Sequence, residues 1–371
     1  MTVLNQELLN RIRGRAAGYD RDNAFFTEDL EELKAAGYLR PRSLLATLRD
    51  QRLLAAHAPA TALGINMHHV IVGIAQVLTA RGDDSLDWLL ADAEAGEVFA
   101  FGNSEAGNDL VMFDSRTVAQ PQPDGSYAYT GTKIFTSMSP AWTRLGIFGR
   151  DDSDPGNPKL VHGYLTRDTP GHSAVGEWNV LGMRATQSFA TRLDGAVVPA
   201  DRIARVLPVG PVPDAYIFGL FASFLLLISG VYAGVADRAL ELAVQRVNER
   251  MSMRTGRSYA QDPDIRWQLA EAAIQLDSLG FQLEGLARDV DELADRGDTW
   301  FRLFVGAKTR AIDVARSVVE TAIRVSGGGA YGADSELMRL YRDALAGIFH
   351  PSDPESAHST VAQHLLGALE E

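Results

Sequence analysis

The chain contains no cysteine. Disulfides, thiolate metal sites and a cysteine nucleophile are thereby excluded. Positive charge is scarce: 35 Lys and Arg stand against 48 Asp and Glu, a formal net charge of -13. A broad phosphate-binding face, and with it a nucleic acid partner, is not expected. A local arginine cluster can still hold a phosphorylated cofactor. Two phosphate-cradling patterns are missing, GxGxxG after a strand and GxxxxGK[ST]. GNSEAGN lacks the nucleophile-elbow spacing. The opening MTVLNQELLNRIRGRAAGYD has no apolar core of the signal-peptide kind, which fits a cytoplasmic location. His68 and His69 are adjacent, so on a helix their rings point about 100° apart. That arrangement suits core packing better than a metal pair, and no metal is expected.

What is present reads as an ordinary soluble enzyme. The 371 residues are 46% hydrophobic and 22% charged, enough for a sizeable core and two or three domains. One run, residues 218–236, carries no charge and is long enough to reach across a bilayer. No basic flank or second span accompanies it, so it reads as a central helix buried on all sides, with no membrane partner. Residues 1–98 show helical periodicity, as in LLNRIRGRAAGYD and EDLEELKAAGYL. From 99 to 208, short apolar runs alternate with turn signals such as PQPDG before SYAYTGTKIFTS. From 209 to 371, long amphipathic segments return. Helices, then strands, then helices is an α+β arrangement.

Four stretches stand out in order: FGNSEAGNDL (101–110), GTKIFTSMSPAW (131–142), LGMRATQSF with VVPADRI (181–203), and VSGGGAYG followed by MRLYRDA (325–344). Together, over nearly the whole chain, they resemble the acyl-CoA dehydrogenase superfamily of flavoproteins. The resemblance implies an N-terminal helical domain, a middle β-barrel domain and a C-terminal four-helix bundle. It implies a flavin, FAD or FMN, between barrel and bundle. It also implies a homotetramer or homodimer, because a neighbouring subunit completes each cofactor site.

Carried over by position, Ser104 matches the hydroxyl residue on a barrel strand facing the flavin ring; its bland reading is a solvated turn. Phe135 takes the place of a flanking Trp, and Ser137 that of the hydroxyl near flavin N5, the reactive atom for hydride transfer. Otherwise Phe135 simply belongs to a core strand. Arg254 stands near the family's pyrophosphate-binding Arg, which reaches into the partner subunit, although a Phe is absent and the spacing differs. Arg324 stands where the family often has Gln. Gly327 and Gly328 would let backbone approach a phosphate or adenine, or would merely end a helix.

The remaining stretch, LYRDALAGIFHPSDPES (340–356), decides the chemistry. Dehydrogenases of this superfamily carry a Glu base seven residues after the Ala of RDA. Here that count reaches Pro351, which has no proton-accepting side chain. The alternative position on the long apolar helix falls near Phe224 or Leu225. One place before Pro351 is His350. An RD motif with this following His resembles the monooxygenase branch, which takes reduced flavin from a separate reductase. That branch builds a C4a-hydroperoxide and hydroxylates small organic substrates. The MHH of the first region and the shortened SEAGND loop are also seen there. His350 would orient the oxidant or deprotonate the substrate, with Ser137 tuning N5. The alternatives are an acyl-CoA or acyl-carrier-protein dehydrogenase with a displaced base, Glu355 or Asp353, and a non-catalytic ligand-binding or scaffold protein. His350 as a simple helix cap is the structural alternative.

Overall fold

A computed structural model describes residues 2–110 and 112–369. Met1, Glu370 and Glu371, the outer ends of the first and third expected regions, lie outside it, as does Val111. Five helices come first: α1 (Gln6–Asp22), α2 (Thr27–Ala35), α3 (Leu44–Ala55), α4 (Pro59–Ala80) and α5 (Asp87–Glu94). Their starts follow local chemistry. The Asn5 side chain accepts from the Leu8 N–H to cap α1, Ser43 does the same for α3, and Pro59 opens α4 where no N–H is needed.

Eight strands follow: β1 (Phe99–Gly102), β2 (Val118–Pro121), β3 (Tyr127–Thr136), β4 (Arg144–Asp151), β5 (Lys159–Thr166), β6 (His172–Val175), β7 (Phe189–Val198) and β8 (Ile203–Pro208). They form one mixed sheet in the order β6-β7-β3-β2-β4-β5-β8, with β1 parallel to β4. The hydrogen-bonded path does not close between β6 and β8. The sheet instead folds over its own apolar core of Tyr129, Leu145, Val161, Leu193 and Val198. Gly163 makes this possible: a Cβ there would lie 2.9 Å from Val198 and 3.3 Å from the Tyr129 hydroxyl.

The chain then returns to helix: α6 (Ala215–Glu249), α7 (Pro263–Asp291), α8 (Thr299–Ser326), α9 (Glu336–Leu345) and α10 (Pro354–Leu366). The uncharged run lies within α6, where residues 225–236 are buried without a break. Its glycines admit neighbours: Gly219 backs onto Val77 and Ile74 of α4, and Gly230 onto Leu48 of α3. Such close approach is why an apolar helix this long stays inside the protein.

His68 ties the helical and sheet regions together. Its Nε2 faces the Leu39 carbonyl at 2.7 Å and its Nδ1 accepts from the Phe99 N–H at 3.1 Å, so the ring is neutral with its hydrogen on Nε2. Burial pushes it down to about 4. His69 and His162 are also buried and pushed down, His162 to about 3. These imidazoles titrate below the unfolded value, so the unfolded chain takes up more protons as pH falls through about 6.5. Burial raises Asp29 and Asp343 to about 6; their protonation favours the folded state and offsets part of the loss. With His350, likewise pushed down to about 3, the balance is a loss on the order of 5 kcal/mol between pH 7 and pH 5. Denaturant midpoints measured across that range check it, and a flat profile would contradict it.

Candidate functional site

The site begins with a carboxylate that ties down a loop. Glu105 follows β1 and is buried with Lys133 of β3. Its Oε1 receives the Lys133 ammonium at 2.7 Å, the Ser115 hydroxyl at 2.8 Å, and the hydroxyl and N–H of Thr117 at 2.6 and 2.9 Å. Its Oε2 receives the Arg116 N–H and the Asn108 amide, each at 2.8 Å. Burial opposes charge on Glu105, yet Lys133 and these donors hold it down to about 2. The same burial lowers Lys133. Six bonds to one carboxylate draw the chain off the sheet, so Ser104 lies just past β1 rather than on a strand. Its carbonyl accepts from the Ile134 N–H at 2.8 Å, which sets it beside Phe135. Its hydroxyl has no partner among the described residues.

Phe135 and Ser137 stand in a strained neighbourhood. Phe135, Met138, Met183 and Gln187 all adopt left-handed backbone, with φ of 59°, 61°, 53° and 44°. Side chains other than glycine avoid this region, and such strain gathers where function requires it. The two segments bond to each other: the Met138 N–H donates to the Thr186 carbonyl at 3.0 Å, and the Ser139 N–H to that of Gln187 at 3.3 Å. Phe135 is 55% exposed and Leu181 62%, although both sit among buried neighbours. Trp178 meets Phe135 edge-on at 6.3 Å between ring centroids. The Ser137 hydroxyl is buried against Ser188 at 2.8 Å.

The LGMR turn carries this strained patch to the bundle. Gly182 lies against the Arg342 carbonyl of α9, where any Cβ would collide. The Met183 N–H donates to the buried Asp343 carboxylate at 2.5 Å. Arg342 pairs with Asp20 near the end of α1 and donates to the Leu181 carbonyl at 2.7 Å. Thus the RDA sequence fixes the turn, and the turn fixes Ser137.

Seven residues beyond Asp343, His350 sits half-buried after α9. Its Nε2 lies 2.8 Å from the Tyr232 hydroxyl of α6. Tyr232 is fully buried, and His350 is its one hydrogen-bond partner among the described residues. The tyrosine therefore donates, and the ring hydrogen belongs to Nδ1. Burial, helped by the Lys308 ammonium, pushes His350 down to about 3, so the ring is neutral at ordinary pH. Lys308 of α8 is buried without a carboxylate within bonding distance among the described residues. It donates to the carbonyls of Gly347, His350 and Ser352 at 3.3, 2.8 and 2.7 Å, and so shapes the loop. Sequence reading missed Lys308, because no local pattern marks a lysine that serves a loop some 40 residues away.

The other expected residues lie at the far ends of the bundle helices. Arg254 is exposed in the turn after α6, between the bridge partners Met251 and Ser258. Arg324 is exposed and pairs with Glu320 on its own helix at 3.0 Å. Gly327 ends α8 with φ of 76°, where a Cβ would strike the Arg250 guanidinium at 2.6 Å. Arg250 donates to the Val325 and Ser326 carbonyls at 3.1 and 2.8 Å and so caps that helix. Gly328 has open space around it. Within one chain, direct bonds link Ser104 to the Phe135 segment, and Ser137 to the LGMR turn. Arg254, Arg324, Gly327 and Gly328 share no bond with these residues among the described ones.

Comparison with known proteins fits this geometry. Residues 226–352 match the family described as acyl-CoA dehydrogenase, C-terminal domain. The L-evernosamine nitrososynthase of a Micromonospora species is 31% identical over 368 residues, covering 92% of this chain and 84% of that protein.

The chain belongs to the acyl-CoA dehydrogenase superfamily.

An amino sugar nitrososynthase of Streptomyces rubradiris is 28% identical, over 94% of this chain and 85% of its own length. Among solved structures, KijD3 in complex with FMN and a dTDP-linked amino sugar superposes with a TM-score of 0.83 at 27% identity, covering 98% of this chain and 92% of that one. This superfamily member is a flavin-dependent oxidoreductase. Its residues suit the ring. Asn103 Oδ1 is a buried acceptor without a partner among the described residues, and the Ser104 hydroxyl next to it is uncommitted. Phe135 and Leu181 present apolar surface that a flat ring would cover. Polar edge and apolar face together match a flavin's own division into a polar and an apolar end.

Proposed function

We propose that this flavoprotein is a reductase-dependent monooxygenase that oxygenates the nitrogen of a small amine, with nucleotide-linked amino sugars as the substrate class. The observation that carries the reading is His350. A neutral imidazole, held by Tyr232, stands one residue before the position where a dehydrogenase needs a carboxylate. Pro351, Phe224 and Leu225 offer none. Asp353 accepts from the Ser356 N–H at 2.8 Å as the cap of α10, and Glu355 is exposed in that helix's first turn. The capping role of one and the solvent exposure of the other count against either as a displaced base. The substrate class follows the nitrososynthases, which match this chain along most of its length.

The bound flavin, once reduced by a separate reductase, supplies the activation of dioxygen. The chain's own residues do the rest. With its ring nitrogen Nε2 taken by Tyr232, His350 offers Nδ1–H to the reacting oxygen or the substrate. At about 3 it gives up no charge in this role: it orients and donates a hydrogen bond rather than storing a proton. Ser104, Phe135 and Ser137 would hold the ring, Ser137 toward N5. Arg254, Arg324, Gly327 and Gly328 serve the phosphate end, completed from a second copy in a homotetramer or homodimer. An aromatic cluster around α6 would supply such a site with a wall: Phe113 stacks on Phe221 at 6.1 Å, and Phe221 meets Phe301 at 5.2 Å. Such a wall keeps water from the reaction.

The test pairs two experiments. The purified protein is mixed anaerobically with acyl-CoA thioesters, and separately with dTDP-amino sugars, a flavin reductase and oxygen. Oxygen-dependent conversion of the sugar amine to hydroxylamine or nitroso product is the expected result. Bleaching of bound flavin by a thioester would overturn the reading.

A further inference from the structure

The hydroxyl groups behind Ser137 form a chain in which one direction satisfies every member. Thr186 Oγ1 lies 2.9 Å from the Met183 carbonyl, which can only accept, so Thr186 spends its single hydrogen there. Ser188 Oγ lies 2.8 Å from Thr186 Oγ1, and with that hydrogen spent, Ser188 must donate. Ser137 Oγ lies 2.8 Å from Ser188 Oγ, and by the same count Ser137 donates to Ser188. All three residues are buried, so water does not easily supply a substitute donor. The Met183 carbonyl that sets the direction is itself locked: its residue is left-handed, and its N–H is held by Asp343.

In that direction the hydrogen of Ser137 goes to Ser188, which leaves its oxygen only lone pairs to offer a further partner. An oxidised flavin presents a lone pair at N5; a reduced flavin presents N5–H. We infer that the Ser137–Ser188–Thr186 chain makes this protein select reduced flavin over oxidised flavin. The inference rests on the reading that Ser137 meets N5. Oxidised flavin must forgo a bond at N5, turn Ser137 away from Ser188, or reverse the whole chain and release Thr186 Oγ1 from the Met183 carbonyl; each choice loses one hydrogen bond. Reduced flavin keeps them all. Ser188 and Thr186 are positioning residues, acting through Ser137. For a protein supplied by a diffusing reductase, this preference draws the useful form of the cofactor out of a mixed pool.

One hydrogen bond corresponds to a preference of up to about tenfold. A tenfold preference raises the two-electron midpoint potential of bound flavin by about 30 mV over the free cofactor. The experiment measures dissociation constants of oxidised and reduced FMN and FAD, and the midpoint potential of the bound form. Wild type is expected to bind the reduced form more tightly and to show the raised potential. Ser188→Ala frees the Ser137 hydrogen and is expected to lower the potential by most of that shift. Thr186→Val does the same from one link further away, while Thr186→Ser restores the chain and keeps the wild-type value. The Thr186 pair decides the matter if Ser188→Ala does not fold. A potential that Ser188→Ala and Thr186→Val leave unmoved overturns the inference, as does tighter binding of oxidised flavin by wild type. Oxygen-dependent turnover with an unmoved potential sinks the hydroxyl chain alone. A chain-dependent potential together with thioester bleaching sinks the monooxygenase reading alone.

Discussion

His350→Ala is expected to lower oxygen-dependent turnover by about a hundredfold or more, the scale of removing one hydrogen-bond donor aimed at a reacting oxygen. Flavin binding should survive, because the residues proposed to hold the ring lie on the sheet side and the LGMR turn. The variant should still consume oxygen when the reductase is present, but without matching product. Steady-state rates and the ratio of product to oxygen used measure both effects. Tyr232→Phe removes the hydroxyl that fixes the ring and is expected to cost several-fold, the scale of one neutral hydrogen bond. Neither variant should reveal a lost ionisation between pH 5 and 8, since His350 is neutral throughout that range. Unchanged turnover in His350→Ala would remove the residue from the mechanism.

Lys133→Met is expected to be the most damaging single change to stability, by about 3–5 kcal/mol. It leaves Glu105 buried with its charge uncompensated, although five of its six hydrogen bonds remain. Chemical denaturation reads the loss. Adding Glu105→Leu to Lys133→Met should recover part of it, since removing both charges also removes the cost of desolvating them. A single variant as stable as wild type would show that the buried pair contributes nothing. The pair also governs Ser104, whose position follows from where Glu105 is anchored, so flavin affinity should fall along with stability.

Much of this was legible in the sequence because the decisive signals are local. LGMR and RDA each occupy a few consecutive residues, and the fold and the flavin could be read from such runs in order. His350 was legible by counting from Ala344. Glu105 was present within SEAGND but hidden by its likeness to a solvated turn; only its pairing with Lys133, 28 residues later, reveals a buried anchor. Lys308 was invisible for the same reason. The left-handed residues give no warning either, because Phe, Met and Gln are not types that announce that conformation. Arg250, whose guanidinium ends α8, was passed over for Arg254: spacing that departs from a pattern does not say which of two arginines turns inward.

The exposed faces of Phe135 and Leu181 have a consequence for the protein's life in a cell. Apolar surface left open is what chaperones and proteases recognise, and a chain without its cofactor shows that surface continuously. Binding that covers it stabilises the folded form by mass action. The amount of this protein that persists should then follow the supply of flavin, so that vitamin status sets abundance before it sets activity.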